Sequence, residues 1–331
     1  MAAFASPAAT AVDRAALVAP FAREYPFTSR VLDLDGIAYH FVDEGPREAP
    51  PLLLVHGNPT WSFLWRHAIG AFRGELRCVA PDHVGCGLSD KPRDYPYRLA
   101  THIANLERLA LELDLERITL VVHDWGGPIG LGFAARHPER IARLIVLNTS
   151  AFTLGGWGGH APWRLRACRA PLLGELAIER LNAFARLAPW LALEDRSVLS
   201  PQARRGFLAP YAARGARTAA LRFVQDIPLS ESHPSYATLR EVERGLEHFR
   251  KTPLCLIWGE RDWCFTPAFR REWQRRFPEA SVHRAERAGH WVIEDARADV
   301  LRWMRAFMAA HPIGGEPAPA PTSLAAPPPE R

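Results

Sequence analysis

A chain of 331 residues, 48% hydrophobic and 23% charged, is long enough for one large domain with a deep core and an insertion. Its net charge of +5 comes from scattered arginines, such as Arg204-Arg205 and Arg270-Arg271 before Glu272, which reads as a solvated surface with no nucleic-acid partner. Five cysteines without a C-x-x-C pair argue against a disulfide framework or a zinc site, and no run approaches the roughly 20 apolar residues of a membrane span.

Residues 1–26 are an alanine-rich N-terminal extension in which Asp13, Arg14 and Arg23 interrupt any long apolar run, so a cytoplasmic location is expected rather than secretion. From 27 to 150, short apolar runs alternate with longer helical patterns, as in a mostly parallel sheet with crossover helices. Strands are predicted at Val31–Leu34, Ala38–Asp43, Leu52–His56, Arg77–Pro81, Thr119–His123 and Arg143–Leu147. Helices are predicted at Phe63–Phe72, Leu99–Leu113 and Gly127–His137. Residues 151–240 lose the strand pattern and become rich in Ala, Arg, Leu and Trp, with breaks at Pro162, Pro171, Pro189, Pro201 and Pro228, which reads as an inserted helical cap. Its aromatics, Trp157, Trp163, Phe184, Trp190, Phe207 and Phe223, are expected mostly in the core, a few lining an apolar pocket under the cap. The sheet pattern returns over 241–312 with strands at Leu254–Trp258 and Ser281–Arg284 and helices at Ala268–Phe277 and Arg297–Ala310. A Pro/Ala-rich tail, 313–331, is expected to be disordered. The fold class is therefore α/β, with an eight-stranded sheet and helices on both faces.

The strand ending at His123 runs into Asp124 and then into Gly126-Gly127 opening a helix, the strand, turn, helix context of a nucleophile elbow. Val122 stands where that motif has a glycine, so the match is partial. Alone, Asp124 reads equally well as a cap of the following helix. Two other segments favour chemistry. His56-Gly57-Asn58-Pro59-Thr60-Trp61 follows a strand where such folds place an oxyanion loop, so the amides of Asn58 and Trp125 are candidates to stabilise a developing anion. Gly289-His290-Trp291 precedes the last helix, the place of a triad histidine that activates water against an aspartyl ester. Asp262 follows a strong strand and is the candidate orienting acid, with Glu260 as competitor. The other usual place, after Leu147, offers Asn148 and no carboxylate, and Asp295 reads as a cap of the last helix. The glycine-bearing loop Asp82–Ser89 lacks the ending of a phosphate loop and reads as structural.

With these motifs together, the chain from about Arg30 to Pro312 resembles the haloalkane dehalogenase family of α/β-hydrolases. The resemblance implies a triad of Asp124, Asp262 and His290, with Asn58 and Trp125 holding a departing halide through N–H donors. Asn148–Phe152, Leu181–Phe184 and Arg222–Leu229 are similar to the subfamily that includes β-lactone decarboxylases of bacterial olefin synthesis, which release CO2 and a cis-alkene. Both likenesses imply an enzyme that needs no metal or organic cofactor and acts on a small hydrophobic substrate, a β-lactone or a haloalkane. A homo-oligomer or an assembly with olefin-pathway enzymes is compatible with it, the tail serving as a tether. An epoxide hydrolase would need phenols over the pocket, for which Tyr211 and Tyr236 are the cap candidates, and a non-catalytic scaffold is the alternative from another class.

Overall fold

Strands buried on both faces read as continuous apolar runs, and this chain has several. The computed structural model describes residues 12–155 and 162–313. Its strands are β1 Arg30–Leu34, β2 Ile37–Glu44, β3 Pro51–Val55, β4 Arg77–Pro81, β5 Ile118–His123, β6 Ile141–Leu147, β7 Leu254–Gly259 and β8 Ser281–Ala285. They form one sheet in the order β1-β2-β4-β3-β5-β6-β7-β8. Only β2 runs antiparallel to its neighbours, β1 and β4, and every other pairing is parallel. Every predicted strand is present, with bounds shifted by two residues or fewer.

The helices are α1 Arg14–Val18, α2 Arg66–Phe72, α3 Leu99–Glu112, α4 Gly126–Arg136, α5 Trp163–Arg169, α6 Pro171–Gly174, α7 Ala183–Ala192, α8 Pro201–Leu208, α9 Thr218–Gln225, α10 Tyr236–Gly245, α11 Pro267–Arg276, α12 Val292–Asp295 and α13 Arg297–Ala310. The period of two along each strand divides the core. Leu53, Val55, Leu120, Val122, Leu144 and Val146 pack with α3, α4, α10 and α11 on one face. Leu52, Leu54, Val121, Ile145 and Leu147 pack with α2, α12 and α13 on the other. A third, small cluster around Ile178, Tyr211 and Leu221 belongs to the helices between β6 and β7. None of the helices is long and apolar enough to cross a membrane among the described residues.

One expectation changes. The helix predicted from Phe63 begins as a 3-10 turn, Ser62–Trp65, before α2. Residue 240, where the inserted segment was expected to end, lies inside α10, which packs on α4: Gly245 of α10 meets Ala135, and Gly132 of α4 meets Val242. The tail from residue 314 and the start of the N-terminal extension lie outside the described residues, as does Trp157.

Candidate active site

β5 ends in a turn that places Asp124 at φ +53°, a left-handed conformation uncommon for a residue with a side chain. The sequence permits this turn because Gly126 follows: a Cβ there would lie 2.1 Å from the Val55 carbonyl oxygen, so α4 could not start so close to β3. Neighbouring strands hold the strained residue. Asp124 N donates to the Asn148 carbonyl at 3.2 Å, and Thr149 Oγ1 donates to the Asp124 carbonyl.

The Asp124 side chain does not cap its helix. α4 has no side-chain cap, and Asp124 Oδ1 instead accepts from the backbone N–H of Asn58 at 2.6 Å. Gly57 makes room for it, since a Cβ at that position would meet Asp124 Oδ1 at 2.1 Å. The other carboxylate oxygen, Oδ2, lies 3.6 Å from His290 Nε2. His290 Nδ1 is 2.8 Å from Asp262 Oδ2, and its carbonyl is 2.8 Å from His123 Nε2. Five residues singled out in the sequence thus converge: Asp124, His290 and Asp262 form a continuous polar chain, and Asn58 and Trp125 flank the Asp124 end of it.

Asp262 is fixed by two groups to which the sequence assigned no role at the site. Its Oδ2 accepts from Asn148 Nδ2 at 2.9 Å and its Oδ1 from the Cys264 N–H at 2.6 Å. Asn148 Oδ1 in turn accepts from Gly259 N at 2.8 Å, tying the ends of β6 and β7. The slot after Leu147 that lacks a carboxylate therefore carries the amide that aims the carboxylate of the next strand. The competitor, Glu260, turns away into a buried ion pair with Arg270 at 2.6 Å.

Burial opposes charge on both His290 and Asp124, yet each holds the other's. Burial would lower the His290 pKa, but the Asp262 and Asp124 carboxylates raise it to about 10. Burial would raise the Asp124 pKa, but the charge of His290, 3.6 Å away, with the Asn58 N–H, holds it below the ordinary carboxylate value. At neutral pH His290 is therefore an imidazolium beside an ionised Asp124. His123 behind it has its pKa lowered to about 4 by burial and the His290 charge, and stays neutral.

Asp124, Asn58, Trp125 and His290 form the floor of a cavity of about 290 Å³ whose walls are otherwise mostly apolar, including Phe152, Phe184 and Leu239. Asn58 Nδ2 gives one N–H to the Ala220 carbonyl of α9, at 3.1 Å. The Trp125 ring packs on Phe223 of the same helix, 5.3 Å between centroids. Phe265 stacks on His290 at 5.7 Å. The expectation for the aromatics divides: Phe184 lines the cavity, Phe207 and Phe223 are buried, and Trp163 and Trp190 lie at the surface, 74% and 45% exposed. Neither Tyr211 nor Tyr236 lines the cavity; Tyr211 is fully buried with its hydroxyl on the Thr60 carbonyl.

Asp295 is a correction. It makes no side-chain cap on α13. Its carboxylate accepts from Gly289 N at 2.7 Å and from Glu194 N and Asp195 N at 3.1 Å each, joining the His290 loop to the end of the inserted helices. Trp291 N adds a bond to the Ala192 carbonyl at 2.9 Å. Among the described residues, no group of three His, Cys, Asp or Glu side chains has the arrangement of a metal site.

Residues 50–296 match the family model described as the alpha/beta hydrolase fold. The cis-3-alkyl-4-alkyloxetan-2-one decarboxylase of Shewanella oneidensis is 41% identical over 286 residues, covering 86% of this chain and 89% of that protein. A haloalkane dehalogenase of Mycobacterium marinum is 34% identical over 287 residues, covering 82% and 91%. In structure, the haloalkane dehalogenase DatA of Agrobacterium tumefaciens superposes with a TM-score of 0.75 at 26% identity, covering 85% of this chain and 96% of that one.

Proposed function

Since this chain belongs to the haloalkane dehalogenase family of α/β-hydrolases, we propose that it decarboxylates a hydrophobic cis-3,4-dialkyl β-lactone to a cis-alkene through an ester on Asp124, and that the same carboxylate dehalogenates haloalkanes. The observation that carries this reading is the Asp124 carboxylate itself: ionised, anchored by Asn58 N–H at 2.6 Å, and presented at the floor of an apolar cavity beside His290. The 41% identity to an oxetanone decarboxylase supports the choice of lactone.

In this mechanism Asp124 attacks ring carbon 4 from the face opposite the ring oxygen. The new ester bond forms as the carbon–oxygen bond of the ring breaks, leaving a carboxylate on carbon 3. Backside attack puts the two leaving groups anti across carbons 3 and 4. Loss of CO2 then supplies the electron pair of the double bond, and Asp124 departs as a carboxylate. No rotation intervenes, so cis substituents stay cis, and no water is consumed. Imidazolium at His290 favours the departure of Asp124 by stabilising its returning charge. Asn58 and Trp125 stabilise the carboxylate released in the first step.

With a haloalkane, the attack expels halide toward Asn58 and Trp125. Esterification removes the Asp124 charge, one of the two anions that hold the proton on His290, so its pKa falls and the neutral ring becomes available to activate water. Asp262 keeps the ring oriented throughout. An epoxide hydrolase reading finds no support, because no tyrosine is among the described residues that line the cavity.

The test is to incubate purified protein separately with a cis-3,4-dialkyl oxetan-2-one and a 1-bromoalkane, measuring alkene, CO2 and bromide. Alkene with equimolar CO2 supports the lactone reading. Bromide without alkene overturns it and leaves a dehalogenase; neither product overturns both.

A further inference from the structure

Among the described residues eleven large hydrophobic side chains are exposed, and eight of these fall between Trp163 and Leu191. Seven lie on α5, α6, a π-helical turn at Glu175–Arg180, and α7, and Leu181 directly follows the π turn. The inner faces of the same elements line the cavity, through Leu165, Ala177, Phe184 and Ala188. Leu187 and Leu191 do both, lining the cavity while 50% and 41% exposed, so its mouth opens within the apolar patch. α7, Ala183–Ala192, has Arg186 as its one charged residue and is apolar on every face, a pattern that calls for cover on the outside as well as the inside.

The surroundings of the patch say what covers it. Between Trp163 and Arg205 the sequence has eight arginines against four acidic residues. Arg166, Arg180 and Arg186 are exposed among the leucines. Arg196 and Arg204 lie over the Trp190 ring at 4.7 and 5.1 Å. Apolar side chains ringed by arginine match the boundary between acyl chains and anionic headgroups. A second copy of this chain would set the same positive rim against itself.

We infer that the outer face of α5 to α7 docks on an anionic lipid bilayer, with the cavity mouth facing the acyl chains, so that hydrophobic substrate enters without crossing water. The identity of that substrate rests on the lactone reading above; the docking surface does not.

The test uses the full chain in flotation assays with vesicles of phosphatidylcholine alone and of phosphatidylcholine mixed with phosphatidylglycerol. Binding to the mixed vesicles, weaker on phosphatidylcholine and weakened by salt, is the expected result. Leu172 and Leu173 are 85% and 49% exposed and do not line the cavity. Leu172→Ser with Leu173→Ser should lower vesicle binding about tenfold or more, by removing the surface that inserts, while bromide release from a short, water-soluble bromoalkane is unchanged. Wild-type protein that ignores the mixed vesicles, or binds them undiminished by the double substitution, would overturn the inference. If docking holds but no alkene forms from lactone, only the substrate reading fails; if alkene forms without docking, only this inference fails.

Discussion

The ends of the central strands and the helices inserted above them are built by opposite rules. At the strand ends, the carboxylates and the histidine are each held by several partners: Asp124 by Asn58, Asn148 and Thr149, Asp262 by Asn148 and Cys264, His290 by Asp262 and His123. The inserted layer consists of helices of four to ten residues with a π turn, and leucines stand at its surface. It meets the sheet domain through scattered bonds such as Asn58 Nδ2 to Ala220, Trp61 Nε1 to Gly206 and Trp263 Nε1 to Leu191, and through two carboxylates, Asp226 on Arg98 and Leu99 N and Asp295 on Glu194 N and Asp195 N. In the proposed reading the strand ends set which bond breaks, and the inserted layer sets which molecule arrives.

Substitutions sharpen that division, beginning with the largest effect. Asp124→Asn should lower turnover of lactone and haloalkane alike by on the order of 10⁴-fold or more, because the amide cannot attack. Steady-state alkene and bromide release would show it; retained turnover of either would break the assignment of chemistry to the strand ends. His290→Ala should separate the steps. Ester hydrolysis falls by on the order of 10²–10⁴-fold, so a bromoalkane leaves one alkyl group on the protein, visible by intact mass after a bromide burst.

The two steps should also part with pH. Asp124 is ionised below the ordinary carboxylate range, so the bromide burst should hold level from about pH 8 down to pH 5. Hydrolysis of the ester needs neutral His290 and should rise with pH over the same range, as rapid-quench and steady-state rates together would read. A burst that falls away with hydrolysis would mean that Asp124 is not held ionised.

A smaller effect is expected at Asn148. Asn148→Ala leaves Asp262 short of a buried donor and should cost about 1–3 kcal/mol of stability, with a fall in kcat larger than any change in KM. Glu294 tests the support beneath the histidine loop: it pairs with Arg66 at 2.5 and 2.9 Å, fully buried, and Glu294→Ala should remove about 3–5 kcal/mol by stranding the guanidinium. Thermal unfolding measures both. The least consequence falls on Tyr211→Phe, whose hydroxyl bond is 3.3 Å long and away from the cavity; activity that survives this change separates the cap's packing from the chemistry.

The strands were legible because apolar runs bounded by Gly, Pro and Asp carry their own signal, and strand Arg77–Pro81, like helix Arg297–Ala310, coincides with its predicted bounds. The candidate site was legible through three short motifs, each of which follows a strand. Asn148 was visible only as a missing carboxylate, since nothing local indicates that an amide will meet Asp262, 114 positions further on. Asp295 misled for the same reason: an aspartate before a helix resembles a cap, and its partners at Glu194 and Asp195 are about 100 residues away. In the inserted layer, the aromatics were expected mostly in the core, yet Trp163 and Trp190 lie at the surface, because helical spacing of aromatics does not say how deeply each face is covered.

Asp295 also bears on how this scaffold can be recombined. Because one carboxylate grips Gly289 on one side and Glu194 and Asp195 on the other, the lid is sewn to the loop that carries the imidazole. A chimera that imports a lid from a relative imports half of a seam. Unless its last turn presents two backbone N–H groups to the same oxygens, the graft unthreads the histidine loop, and a change intended for selectivity is felt first in the water-activating step.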